Sequence, residues 1–347
     1  MKRIAFFDAK QYDIESFNSI NKNYEIKYFE SKLSIDNVLL CQGFDGVCVF
    51  VNDSITKEVI DKLDEYGIHI LALRCAGYNN VDITYAYKKV HIVRVPAYSP
   101  NAIAEATFAL ILALNRKTHK AYIRTRDHNF NLSGLVGFDL VNKTIGVIGT
   151  GKIGYQVIRI ALGFGMNVLA YDLYPNEMIS NMPGVKYVEM NELFRNSDII
   201  TLHAPLTNDN YHLINDETIS IMKNGVMIIN TSRGALIDSK ALLNGLKNKK
   251  ISSSGLDVYE EEQELFFEDK SEEIINDDVL SLLIAMPNVI VTSHQAYLTT
   301  DALRQIALIT LGNFDKFFGG EFLDNEVCYK CKNSPKECFI NRNKNCW

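Results

Sequence analysis

Long apolar runs are missing from this 347-residue chain, and so are long basic ones. No stretch approaches the ~20 apolar residues that a bilayer-crossing helix requires, so neither a membrane-spanning helix nor a membrane partner is expected. The amino terminus, MKRIAFFDAKQYD, has two basic residues but only four apolar ones in a row before Asp8. That is too short for a secretion-signal core and reads as a first buried strand, which leads us to expect a soluble, cytoplasmic protein. No Lys/Arg run interleaved with aromatics occurs, and the net charge of −6 opposes a polyphosphate surface, so no nucleic-acid partner is expected either. Internal repeats at a fixed period are also lacking.

Cysteine is sparse until the carboxyl terminus. Cys41, Cys48 and Cys75 lie among apolar residues and read as small buried hydrophobes. Cys328, Cys331, Cys338 and Cys346 crowd the end of the chain with the spacing C-x2-C-x6-C-x7-C. In a cytosolic setting that cluster leaves three readings open: a thiophilic metal such as zinc, redox or incidental thiols, or a tail (328–347) without special chemistry. No metal ligand is assigned from it.

A chain of 347 residues with 47% hydrophobic content exceeds what one core ordinarily serves, so two domains are expected. Short β-rich runs alternate with amphipathic stretches: IAFF, IKYF, GVCVFV, ILALRCAG and HIVRVPA in the first hundred residues. A second series follows with TIGVIG, NVLAYD, DIITLHAP, GVMIINTSRG, ISSSGLDVY and NVIVTSH. Continuous apolar strands separated by helical patterns indicate parallel sheets covered on both faces, hence an α/β class. A crossover helix is expected over 55–66, with Ile55, Val59, Ile60 and Leu63 on one stripe. A long helix is expected from Asn101, with Pro100 as its boundary and Asn101 as its cap. It is apolar over too many turns to be a one-sided surface helix, so it reads as a buried connector or subunit contact. The stretch 127–143 reads as loop. A last helical run after His294 would fold back on the first domain, leaving the second series as a continuous insert.

Gly149, Gly151 and Gly154 form G-x-G-x-x-G between a buried strand and an apolar-periodic helix. The first glycine permits a tight turn, the second lets a pyrophosphate approach the backbone, and the third lets helix and strand pack closely. The phosphates would face the helix's free amides and positive dipole end. The next strand ends at Asp172, whose carboxylate can accept from ribose hydroxyls and would repel a 2′-phosphate, so NAD is expected rather than NADP; the bland alternative is that Asp172 only caps a strand.

Three further strand ends carry Arg233, Asp257 with Glu262, and His294. Ligands of open α/β sheets bind outside the carboxyl ends of the strands, so these groups would share one crevice. Reduction of a keto acid needs an anion clamp, a proton donor and a group that tunes the donor. Arg233, His294 and Glu262 supply those chemistries. Each has a plainer reading, as surface arginine, structural histidine, or one acid in a solvated acidic stretch from Glu260 to Asp278. Residue types and spacing alone thus support a dinucleotide enzyme of no particular substrate.

Taken together, LRCAGYNNVD, VPAYSPNAIAEATFAL, LNRKTHKAYIRTRDHNF, GVIGTGKIG, HAPLT, NGVMIINTSRGALID, GLDVYE and SHQAYLT resemble the D-2-hydroxyacid dehydrogenases, most closely the bacterial fermentative D-lactate dehydrogenases. The likeness covers roughly residues 1–327. It implies a Rossmann NAD-binding domain (101–297) inserted into a flavodoxin-like substrate domain (1–100 with 298–327), both doubly wound parallel sheets. It also implies catalytic roles for Arg233, Glu262 and His294, with Asp257 in support. Cofactor contacts would come from Gly149, Gly151, Lys152, Ile153, Gly154, Asp172, Ala204, Pro205, Asn210, Thr231, Ser232, Arg233 and Asp257. Substrate contacts would come from Ala76, Gly77, Tyr98, Arg233, His294 and Tyr297, the last narrowing the pocket in favour of pyruvate. The implied reaction interconverts pyruvate and D-lactate, with domains closing over the substrate, in a homodimer or homotetramer whose contact includes the helix from Asn101. Alternatives carried by the same likeness are enzymes for bulkier 2-keto acids or hydroxypyruvate, and an NAD-sensing corepressor that binds peptide motifs. The tail from Cys328 has no counterpart in the family pattern.

Overall fold

A computed structural model describes residues 1–262 and 265–328. The described residues divide into two compact units, Met1–Ser99 with residues 298–328, and Pro100–Tyr297.

In the first unit, β1 (Lys2–Phe6), β2 (Tyr24–Tyr28), β3 (Gly46–Val49), β4 (Ile70–Leu73) and β5 (His91–Arg94) form one parallel sheet in the order β2-β1-β3-β4-β5. This is the flavodoxin-like winding. Strands β3 and β4 are buried at every position, which is why their sequences run continuously apolar rather than alternating. The helix Thr300–Phe318, capped by the Thr299 side chain on the Ala302 amide, packs on this sheet. Residues 325–327 then pair antiparallel beside β5 through Arg94 N to Asn325 O and Val327 N to Ile92 O, covering its open edge.

The second unit holds β6 (Thr144–Ile148), β7 (Asn167–Tyr171), β8 (Val185–Tyr187), β9 (Ile199–Leu202), β10 (Val226–Asn230), β11 (Ile251–Leu256) and β12 (Val289–Val291). All are parallel, in the order β12-β11-β10-β9-β6-β7-β8. The winding reverses between β6 and β9, and that switch point opens at the carboxyl ends of the strands. One face is covered by the helices Pro100–Arg116 and Lys152–Gly163, which bury Phe108, Ile111, Leu114, Val157, Ile158 and Ala161 against the strands. The other is covered by elements that include the helices Ser239–Lys247 and Asp278–Ala285. Each fully buried Leu, Ile, Val or Phe side chain contributes about 1.5–3 kcal/mol.

Several local expectations need correction. The crossover helix is Lys57–Glu65, not 55–66: Ile55 is buried but lies outside it, in a bridge to Val81. Pro100 is the first residue of its helix, where its missing N–H costs nothing, so Asn101 is not the cap. That helix ends at Arg116, because Lys117 takes a left-handed conformation (φ 50°) before a separate helix, Thr118–Arg126. Strand β8 was not expected, being three residues long with no apolar run of its own. Cys41, Cys48 and Cys75 are buried and unbridged, and burial pushes the Cys41 thiol up to about 12. Cys331, Cys338 and Cys346 lie outside the described residues. Cys328 is partly exposed, and no group of three His, Cys, Asp or Glu able to hold a metal occurs among the described residues.

The largest fully buried side chain is charged. Arg74 follows β4 and is 2% exposed. Its Nη1 donates to Phe7 O at 2.9 Å and its Nη2 to Asp8 O at 2.5 Å, with Asp13 Oδ2 at 3.4 Å, and the guanidinium lies over the Phe6 and Phe50 rings. Burial opposes its charge, but the nearby carboxylates of Asp13, Asp53 and Asp8 overcome that and keep it protonated. Burial in turn raises Asp13 and pushes Asp53 up to about 6. Changing Arg74→Met should destabilise the first unit by about 3–5 kcal/mol, because buried acids lose their counter-charge. Urea unfolding followed by a probe placed in that unit measures it; an unchanged midpoint would contradict the assigned role.

Candidate active site

The glycine turn joins β6 to the helix Lys152–Gly163, and each glycine is required for a different reason. Gly149 has φ 92°, and a Cβ there would meet Ala204 N at 2.5 Å. Gly154 lies so close under the turn that a Cβ would meet Gly149 O at 2.0 Å. Gly151 is crowded by nothing: a Cβ would find no protein atom within 4 Å, and its φ of −64° suits any residue. Packing therefore explains two glycines, while the third keeps a helix N-terminus open to an incoming anionic group. Lys152 and Ile153 form that helix's first turn, Lys152 exposed and Ile153 partly buried.

Asp172 stands one residue beyond β7 and is tied to this turn. Its Oδ2 accepts from Thr150 N at 2.6 Å and Thr150 Oγ1 at 3.0 Å, and its Oδ1 accepts from Tyr174 N at 2.9 Å. Thr150 is buried, and its hydroxyl also accepts from Tyr187 OH at 2.8 Å. Thr150 and Tyr187 escaped the sequence reading. The threonine was in view as an unspecified residue of the glycine motif, whereas Tyr187 lies on the unexpected β8.

The ends of β9 and β10 are laced together. Ser232 Oγ donates to Ala204 O at 2.6 Å, and the buried hydroxyls of Thr107 and Thr231 are 3.0 Å apart. Pro205 is exposed beside Ala204, while Asn210 is occupied within its own loop, donating to Pro205 O and accepting from Thr207 N. His203, in the same HAPLT segment, contacts Thr201 Oγ1 through Nε2 at 2.9 Å, and burial lowers its imidazole to about 3. It stays neutral and is no reservoir for a proton near neutral pH.

Beyond them the structure brings three of the predicted residues together. Asp257 directly follows β11 and is 2% exposed. Its carboxylate accepts from Thr292 Oγ1 at 2.6 Å, Gln295 N at 2.9 Å and Ala296 N at 2.9 Å, while its carbonyl accepts from His294 N. His294 is thereby held at φ 51°, a left-handed conformation unusual for a residue with a side chain. Its Nδ1 meets Glu262 Oε1 at 2.9 Å, and Glu262 Oε2 accepts from Tyr259 N at 2.9 Å. Because a carboxylate only accepts, Nδ1 carries the hydrogen of this pair, which leaves Nε2 as the exchanging nitrogen. Among the described residues Nε2 has no hydrogen-bond partner. The Phe267 ring lies 5.8 Å from the imidazole.

Arg233 follows β10 but joins neither His294 nor Glu262. Its Nη1 donates to its own Ser232 carbonyl at 2.7 Å, and among the described residues the rest of the guanidinium fork has no hydrogen-bond or ion-pair partner. The next residue, Gly234, is pressed so closely on the Tyr259 carbonyl carbon that a Cβ would sit 2.0 Å away, which locks this loop to the one bearing Glu262. Tyr297 ends the unit and is buried. The remaining predicted residues belong to the first unit. Ala76 and Gly77 form the turn after β4, where Arg94 Nη1 holds Ala76 O at 2.7 Å. Neither of their amides donates to an acceptor among the described residues. Tyr98 follows β5 and is partly buried.

Residues 108–296 match the family described as D-isomer specific 2-hydroxyacid dehydrogenase, NAD binding domain. The chain belongs to this family. The dehydrogenase is 49% identical over 94% of its length to a 2-hydroxyacid dehydrogenase homolog of Haemophilus influenzae, covering 99% of that protein. It is 48% identical to the D-lactate dehydrogenase of Escherichia coli, again over 94% of this chain and 99% of the relative. Its fold superposes on the solved Salmonella D-lactate dehydrogenase with a TM-score of 0.85 at 49% identity, covering 94% and 99% of the two chains. Its cofactor is NAD, and the residues present fit it: an uncrowded glycine at a helix N-terminus and a tethered carboxylate at the next strand end. No helix among the described residues is long and apolar enough to cross a membrane.

Changing Gly151→Ala should leave thermal stability within about 1 °C, since nothing in the protein is displaced, yet weaken NADH binding about tenfold or more. Gly154→Ala should lower both. Calorimetric melting with fluorescence titration of NADH separates the two, and intact NADH affinity in Gly151→Ala would reject the open-cradle reading.

Proposed function

We propose that this dehydrogenase reduces pyruvate to D-lactate reversibly, and that the observation carrying the reading is the His294–Glu262 pair fixed by buried Asp257. NADH, when bound, supplies the hydride that the carbonyl carbon receives. Every other requirement falls to the chain. His294 donates its Nε2 proton to the carbonyl oxygen as that oxygen gains charge, and Glu262 on Nδ1 favours the charged imidazole and holds the ring in plane. Arg233 turns the unpaired part of its fork to the substrate carboxylate. In the first unit, the Ala76 and Gly77 amides bind a carboxylate and Tyr98 assists; in the second, Tyr297 restricts the substrate side chain. Asp172, Lys152, Ile153, Ala204, Pro205, Asn210, Thr231 and Ser232 join the glycines as cofactor contacts. Thus Pro100–Tyr297 serves as the cofactor domain and the other unit as the substrate domain.

We also assign the enzyme to the cytoplasm, in fermentative metabolism, and infer a homodimer. Supporting the dimer is the segment after the helix Pro100–Arg116, where Tyr122, Ile123, Phe130, Leu132 and Val136 are exposed. The helix itself is spent largely on its own sheet.

Initial rates of NADH oxidation with pyruvate, phenylpyruvate, 2-ketoisocaproate and hydroxypyruvate, with chiral analysis of the product, should show pyruvate preferred and D-lactate formed; preference for a bulky keto acid would replace the substrate reading. His294→Ala should lower kcat by about 10²–10⁴-fold while NADH affinity changes little. An equal loss of NADH affinity would remove the proton-donor role. In Glu262→Gln the alkaline fall of the reduction rate should move to lower pH, since a neutral partner favours the imidazolium less. A superimposable pH profile would reduce Glu262 to an ordinary loop acid.

A further inference from the structure

The acidic stretch from Glu260 to Asp278 reads from sequence as a solvated loop, and its first residue contradicts that. Glu260 is partly buried, and both oxygens of its carboxylate are engaged by other chain segments. Oε1 accepts from Tyr211 OH at 3.1 Å and pairs with His212 Nε2 at 2.5 Å, and Oε2 accepts from Ser239 Oγ at 3.2 Å. His212 is fixed in turn: it has φ 53°, its amide donates to Ala235 O, its ring stacks on Tyr211, and Asp238 lies 3.8 Å from Nδ1.

Glu260 stands two residues before Glu262, in the loop that leaves β11. The Tyr259–Glu260 peptide is pressed by Gly234, Tyr259 OH donates to Asp277 at 2.7 Å, and Tyr259 N is the donor to Glu262 Oε2. Of these anchors, only Glu260 joins its carboxylate to an imidazole, and it ties the loop to the segment 207–213 that continues from HAPLT.

We propose that Glu260 is a positioning residue for proton transfer: its anchorage on His212, Tyr211 and Ser239 holds residues 259–262 so that Glu262 stays on His294 Nδ1. This rests on the reading of Glu262 and His294 as the proton-donating pair. The titratable groups around Glu260 include His212 and Tyr211 on the 207–213 segment, Asp238 across His212, the neighbouring Glu261, and Tyr259 with its partner Asp277. Loss of this contact lets the loop shift and lengthens the Glu262–His294 contact without touching cofactor or substrate.

The test compares pH profiles of kcat for pyruvate reduction in the wild type, Glu260→Gln, His212→Gln and Glu262→Gln, with NADH affinity and melting temperature measured on each. Glu260→Gln should lower kcat about tenfold, change NADH affinity less than about twofold, and move the alkaline limb in the same direction as Glu262→Gln but less far. His212→Gln should reproduce this, and the double variant should lower kcat no more than about twofold beyond either single, as for one shared interaction. If Glu262→Gln moves the profile and neither Glu260→Gln nor His212→Gln does, the proposal is overturned while the proton-donor reading stands. If Glu262→Gln leaves the profile in place, both fall. A lowered melting temperature with an unmoved profile makes Glu260 purely structural and also overturns it.

Discussion

The proposed active site hangs on one buried carboxylate. Asp257 accepts three hydrogen bonds from the chain following β12 and holds the His294 amide on its carbonyl. A charge 2% exposed is costly unless its lone pairs are satisfied, and here the residues flanking His294 satisfy them. The constraint works in both directions. The loop stabilises the buried acid, and the acid keeps His294 in a left-handed conformation that would otherwise cost about 1–2 kcal/mol. The Nδ1 contact with Glu262 follows from that fixed backbone.

Backbone proximity does for the cofactor side what the carboxylate does for the proton side. Gly149 and Gly154 exist because β6, its helix and the His203–Ala204 backbone approach too closely for a Cβ. The same closeness brings Thr150 under Asp172, so the acid at the next strand end is oriented by the turn itself. Gly234 against Tyr259 repeats the device between the arginine loop and the glutamate loop. The site is a row of strand ends joined by close backbone packing, with few groups free to move: Nε2 of His294 and most of the Arg233 guanidinium are the conspicuous ones. That is the state required by the proton-donor and anion-clamp roles proposed for them.

The first unit is organised around a charge of opposite sign. Arg74 draws the carbonyls after β1 to the end of β4 and balances Asp13 and Asp53, so the turn carrying Ala76 and Gly77 starts from a rigid base. An arginine and its acids in a core are a weak source of net stability, since desolvation offsets much of their attraction. Their value here is in fixing where the strand ends lie.

The sequence by itself determined the kinds of element and the kinds of chemistry. Continuous apolar strands such as GVCV and ILAL mark sheets buried on both faces, and the glycine spacing with Asp172 beyond the next strand marks a dinucleotide turn. Those signals are local, because periodicity and turn geometry act over a few residues. Tertiary structure alone decided the partners. Glu260 is separated from His212 by 48 positions, Asp257 from Ala296 by 39 and Arg74 from Asp8 by 66. Which acid in an acidic stretch becomes a clamp, and which remains solvated, depends on strand order and on the angle at which each loop leaves its strand. A linear pattern holds neither, so Glu260 and Glu261 look alike in sequence and differ in the fold.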